Sequence, residues 1–352
     1  FKGYDMEGKI DSELLLALDV PEKERIKTDD LNVGYSDGVW ELIVRYSHNI
    51  VTEVTELNGS IKELLGGYGL VRIPRENIDR LAETDGVLFI EKPRSLQYEL
   101  LYSKIISCME PDVNKSGNGG EGVYVAVIDS GIDYFHPDFI VDGKTRIAVI
   151  YDEVTGRVYS REDIDNAIAE NNRYLIMDKS GHGTSVAGVA AGNNGVAYKS
   201  DIIVVKLGED NFFSTARLME GVDFALKFAM ENNRPIAINI SIGNNYGAHD
   251  GTSLFETYID YVTEIWKNNV IVGAGNEADK RIHTVVKLND RSEMCEFIVG
   301  NYEESIAIQI WKRYWDDFYI EIENPSGERY AVPKGEGIYE FKSSVEFIYV
   351  YV

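Results

Sequence analysis

VYVAVID (residues 123–129) is an apolar run that breaks only at its last position, on a carboxylate. Apolar residues without alternation mark a strand buried on both faces, the kind found in parallel sheets covered by helices. Three later stretches repeat the pattern: DIIVVKLG (201–208), AINISIG (237–243) and VIVGAGN (270–276). Between them the period changes. STARLMEGVDFALKFAMEN (214–232) places Leu218, Val222, Ala225 and Ala229 on one face, and LFETYIDYVTEIWKNN (254–269) does the same with Leu254, Tyr258, Val262 and Trp266. Strands that alternate with helices predict a doubly wound α/β sheet.

Outward from this core the composition shifts. Upstream, VWELIVRY (39–46), GLVRIP (69–74) and VLFIEK (87–92) read as strands, and PRENIDRLAET (74–84) as a short helix with proline in its first turn. These predict a small α+β domain over residues 1–97. The stretch NKSGNGGEG (114–122) reads as a linker, because a phosphate loop would follow a strand and this one precedes it. Downstream, from about residue 291 to 352, IAIQIW (306–311), FYIEIE (318–323), YAVPKG (330–335) and VEFIYVYV (345–352) are short and mostly alternating, with a turn at NPSGE (324–328). They predict an incomplete all-β insert. Residues 98–290 hold the α/β part.

The formal net charge of −24 argues against nucleic acid or anionic lipid as a partner, since both require basic residues to neutralise phosphate. No run of about 18 apolar residues suggests a membrane span, and the N-terminus does not read as a signal peptide. Two cysteines, Cys108 and Cys295, fit free thiols in a reducing compartment better than a disulfide framework.

Three residues stand where chemistry is expected. Asp129 ends a buried strand, and ligands of open parallel sheets bind beyond the strands' carboxyl ends; a turn residue in DSGID is an equal reading on position alone. His182, in KSGHGTSVAGVAAG (179–192), opens a helix. The positive helix end disfavours a charged ring, so a neutral imidazole there suits a general base. Asn276 follows another strand end; its amide can donate to a developing oxyanion there, but on position alone it reads as a turn residue. Asp133 and Asp138 lack the pattern of a calcium loop and read as turn residues. No metal site or cofactor is indicated.

In order, VAVIDSGIDYFHPDF (125–139), SGHGTSVAGVAAG (180–192) and VGAGNEAD (272–279) resemble the motifs of the subtilisin-like serine proteases. The resemblance implies that Asp129 orients His182, that His182 is the general base and that Asn276 stabilises the oxyanion. It further implies that Ser241, Ile242, Gly243 and Asn244 pair with an extended substrate, and that Gly273, Ala274 and Gly275 line the facing wall. IDYFHPDF, GAHDGTSLFE (247–256) and the β-rich insert are similar to the clostridial Csp germination proteases. That likeness implies a retained prodomain whose end occupies the substrate groove, self-cleavage between Gln97 and Tyr98, a jelly-roll insert, and a protein substrate such as a spore cortex hydrolase precursor. Cytoplasmic synthesis followed by packaging into spores is compatible with it.

The family's serine motif, Gly-Thr-Ser followed by small residues and proline, does not occur after residue 276. Ser185 and Ser253 lie in GTS triplets, but both precede Asn276 and read as structural. The expectation is that the nucleophile follows the β-rich insert beyond Val352, and that these 352 residues alone are inactive. The alternative is an inactive relative serving as sensor or scaffold. A nucleotide-binding α/β protein would need a glycine-rich loop where DSGIDYFHP (129–137) stands.

Overall fold

A computed structural model describes residues 8–98, 119–208, 213–277, 280–288, 292–300, 306–313, 315–335, 337–342 and 347–352. Most of the proposed linker, Cys108, and Glu99 and Leu100 lie outside the described residues. So do Ala278 and Asp279, the last residues of the third motif.

The central sheet has six strands. In spatial order they are Arg157–Ser160, Ile147–Asp152, Asp201–Lys206, Tyr124–Asp129, Ile236–Ile240 and Asn268–Val272. The first pair is antiparallel and every other neighbour is parallel. Numbered along the chain, the five parallel strands lie in the order 2-3-1-4-5. The chain therefore builds one side of the strand ending at Asp129, then crosses over it to build the other.

That strand is apolar throughout because it serves two cores. Tyr124, Ala126 and Ile128 pack on one face with helices Thr215–Glu231 and Leu254–Ile265. Val125 and Val127 pack on the opposite face with helices Arg161–Ala169 and His182–Ala191. The helical faces read from the sequence are the buried ones: Leu218, Val222, Ala225 and Ala229 on one helix, Leu254, Tyr258 and Val262 on the other. Trp266 is already the cap beyond the second helix.

Residues 8–94 hold a separate sheet, Tyr35–Ser36, Val39–Tyr46, Tyr68–Pro74 and Ser60–Leu64 in order, with Val87–Glu91 pairing Val39–Tyr46. Leu42, Val44, Val71 and Ile73 face the domain's own core around Trp40. Ile43, Leu64, Tyr68 and Leu70 point the other way and join the core beside helices Thr215–Glu231 and Leu254–Ile265. This domain thus covers two helices of the central sheet. Polar contacts fix the match: the Leu65 amide donates to Asp223 Oδ1 (2.9 Å), Tyr68 Oη to Thr257 Oγ1 (3.1 Å), and Lys62 pairs with Glu220. The Leu254 amide, at the start of its helix, donates to Glu91 Oε2 at 3.0 Å. Burial pushes the Glu91 carboxyl up to about 7, with Asp11 and Glu13 adding to the rise and Arg94 and the Leu254 amide opposing it.

The downstream region departs from the sequence reading at one segment. Ile320–Glu323 pairs with Arg329–Val332, and Ile338–Lys342 with Phe347–Tyr351, each antiparallel. The predicted strand at 306–311 does not form: Ile306, Ile308 and Ile310 are exposed and belong to no strand. Alternation alone makes a strand only where a partner strand and a covering layer exist, and neither stands beside this segment among the described residues. No described helix is long and apolar enough to cross a membrane.

Candidate active site

Asp129 sits at the C-terminal end of its strand, fully buried, where the order of the parallel strands reverses. Its Oδ1 lies 2.8 Å from Nδ1 of His182. The Ser130 amide donates to the same oxygen at 2.7 Å. His182 is the first residue of its helix and is 7% exposed. A buried carboxylate on Nδ1 fixes the ring's orientation and places the proton there, leaving Nε2 as the basic nitrogen.

The two flanking glycines have different reasons. Gly181 is the helix N-cap and has φ +72°, a left-handed conformation that side chains resist. Gly183 is needed for contact: a Cβ there would stand 2.2 Å from the Gly131 carbonyl oxygen and 3.1 Å from Asp129 Oδ1. The loop after Asp129 and the first turn of the helix touch, and the absence of a side chain permits it.

A residue overlooked in the sequence joins these pieces. Asp178 accepts from Ser130 Oγ (2.8 Å), the Gly181 amide (2.9 Å), the Thr184 amide (2.9 Å) and Thr184 Oγ1 (2.6 Å). Burial raises its pKa, but these hydrogen bonds more than offset that and hold the carboxyl below the ordinary aspartate range. The available signal was an Asp followed by Lys-Ser-Gly just before a helix, a capping pattern. Asp133 closes a turn by accepting from the Phe135 amide at 3.0 Å.

Ser185 and Ser253 have structural partners. Ser185 Oγ donates to the Gly181 carbonyl at 2.8 Å. Ser253 is an N-cap in a reciprocal capping box with Glu256.

Ser95–Tyr98 leaves the upstream domain and lies between two short strands of the α/β part, antiparallel to both. Leu96 is opposite Phe213, Ser95 opposite Ser214, Gln97 opposite Gly243 and Tyr98 opposite Ile242. The Asn244 amide nitrogen donates to the Ser95 carbonyl at 2.8 Å. Leu96 is buried in the main core, whereas Gln97 is exposed. The direction of this strand matters. Ile240 is level with Ile128 across the sheet, so Ser241 is level with Asp129. Running from Gly243 towards Ser241, Ser95–Tyr98 heads for the edge that carries Asp129 and His182.

Asn276 lies beyond the same edge. Val272 is level with Ile240, and the Gly273 amide donates to the Ile240 carbonyl at 3.0 Å. Gly275 then takes φ +90° and Asn276 follows, exposed. Its strand is two places from that of Asp129, a separation of about 10 Å at ordinary strand spacing. Gly273 is half-buried, and Ala274 and Gly275 are exposed.

Comparison with known proteins bears on the two domains and their fold. Residues 8–94 match the Csp protease B prodomain, and residues 120–313 match the subtilase family. The solved structure of the Clostridium perfringens CspB protease superposes with a TM-score of 0.62 at 32% identity, covering 71% of this chain and 57% of that one. A subtilisin-like protease of Coccidioides posadasii is 28% identical, covering 49% of this chain and 42% of the relative. An intracellular serine protease of Paenibacillus polymyxa is 29% identical, covering 62% of this chain and 58% of the relative. The chain thus spans about half the length of the curated relatives it matches. With the family's model matched over residues 120–313, more than half of the chain, and a matched prodomain ahead of it, this protein belongs to the subtilase family.

Proposed function

We propose that these residues form the base-bearing half of a serine endopeptidase made as a self-processing zymogen. Asp129 orients His182, whose Nε2 takes the proton of a serine nucleophile, and Asn276 donates to the oxyanion of the tetrahedral intermediate. Residues Ser241–Asn244 hold extended substrate by strand pairing, and Gly273–Gly275 form the facing wall. Ser95–Gln97 occupies that groove as the product side of self-cleavage between Gln97 and Tyr98, and Tyr98 begins the other product. The substrate is a protein, with a spore cortex hydrolase precursor as the specific assignment.

The observation that carries this reading is the buried 2.8 Å contact between Asp129 and His182, towards which the paired strand Ser95–Tyr98 runs. Residues 277–352 contain no serine in the family's nucleophile setting, so the test belongs to the full-length protein. A fluorophosphonate probe is expected to label it, and His182→Ala is expected to abolish labelling. Failure of the unaltered protein to label would support the scaffold reading instead. N-terminal sequencing is expected to find Tyr98 as a new terminus; one intact chain would refute the cleavage assignment.

A further inference from the structure

We propose that Asp178 is a positioning residue, one that sets the distance between Asp129 and His182 without touching substrate. The inference rests on the reading of that pair as orienter and base.

The two oxygens of Asp178 serve different segments. Oδ1 accepts from Ser130 Oγ (2.8 Å), the Gly181 amide (2.9 Å) and Ser180 Oγ (3.3 Å). Oδ2 accepts from the amide and the hydroxyl of Thr184, at 2.9 and 2.6 Å. One side chain therefore bridges the residue after Asp129 and the residues on both sides of His182. Ser130 Oγ closes the loop by accepting from the Gly183 amide at 2.9 Å. Asp178 is itself braced. Lys206, the sheet partner of Asp129, donates from Nζ to the carbonyl of Met177 at 2.8 Å. Thr184 Oγ1 also receives the Asp133 amide at 2.8 Å, tying down the far end of the loop after Asp129.

All five groups that meet Asp178 donate. A carboxylate can accept them all, but an asparagine has one acceptor oxygen and two donors of its own. The hydroxyls can rotate to accept from an amide, whereas the backbone N–H groups cannot. Asp178→Asn therefore leaves either the Gly181 or the Thr184 amide without its partner. A helix cap alone requires only the contacts to Gly181 and Thr184. The bond to Ser130 goes beyond capping and couples the cap to the neighbour of Asp129.

The test is the exchange of the His182 Nδ1 proton with water, read by NMR on the 352-residue chain with 15N-labelled histidine. His182→Gln assigns the resonance among the five histidines. Asp178→Asn is expected to speed exchange roughly tenfold or more, as the loss of hydrogen bonds to a charged group implies. Ser130→Ala removes the bridge, together with the acceptor of the Gly183 amide, but leaves the contacts of Asp178 to Gly181 and Thr184, and is expected to speed exchange in the same direction with the fold retained. It keeps the proposal testable if Asp178→Asn does not fold. Ser160→Ala, which removes an N-cap on a different helix, is expected to lower stability and leave this exchange unchanged. Unchanged exchange in Ser130→Ala, or an equal acceleration in Ser160→Ala, would overturn the inference. If the unaltered chain shows no protected Nδ1 proton, the Asp129–His182 reading itself fails.

Discussion

Replacing Glu91 by glutamine is expected to stabilise the chain above neutral pH and to leave it unchanged in acid. Glu91 is 3% exposed, and its Oε2 accepts from the first amide of the helix Leu254–Ile265. Burial lifts its pKa from 4.5 to about 7. A folded carboxyl that holds its proton more tightly than the unfolded one favours folding only while protonated. Its contribution is complete below about 4.5 and is lost as pH rises through about 7. The full difference corresponds to roughly 3 kcal/mol. Glutamine retains a carbonyl oxygen for the Leu254 amide and has no proton to lose. Urea unfolding of both proteins across the pH range, followed by tryptophan fluorescence and circular dichroism, gives the difference in stability. It should be near zero in acid and rise to about 3 kcal/mol in favour of Glu91→Gln above pH 7. A difference that is flat with pH, or that grows towards acid, would refute the reasoning.

Gly183→Ala forces a methyl against the Gly131 carbonyl; a loss of about 1–3 kcal/mol is expected by thermal or urea unfolding, as for other overpacked sites. Ser253→Ala removes a capping box and should cost about 1 kcal/mol, while fluorophosphonate labelling of the full-length protein persists; loss of labelling would make Ser253 the nucleophile. Glu153 is buried with neither carboxylate oxygen hydrogen-bonded, and burial raises its pKa well above the ordinary value. Glu153→Met is therefore expected to raise the melting temperature by several degrees.

The order of strands and helices in the α/β part was legible because burial on two faces leaves an unbroken apolar run, as at Tyr124–Asp129. Their lateral order was not, since nothing local distinguishes a strand laid to the left from one laid to the right. GLVRIP (69–74) shows a related limit. Val71 and Ile73 serve the upstream core, while Leu70 serves the interface with the two helices. A sequence can show that such a strand is apolar, but not that its second face meets another domain. At the candidate site, Asp129 and His182 stood out by their settings. Asp178 did not, because its stretch signals a helix cap and nothing more; the bond from Ser130 comes from a segment brought beside it only by folding. The failure at IAIQIW (306–311) has the opposite cause, a strand-like period with no layer to cover it among the described residues.

Ser95–Tyr98 is hydrogen-bonded along both margins and remains tethered to a domain anchored on two helices. Any loose peptide seeking the same slot competes with an occupant whose local concentration is set by its own chain, in the millimolar range for short tethers. Entry is then governed less by the newcomer's affinity than by how often the resident strand peels away. Loosening the anchor far from the slot, at the buried interface of Ile43, Leu64, Tyr68 and Leu70, would raise that frequency without touching the slot.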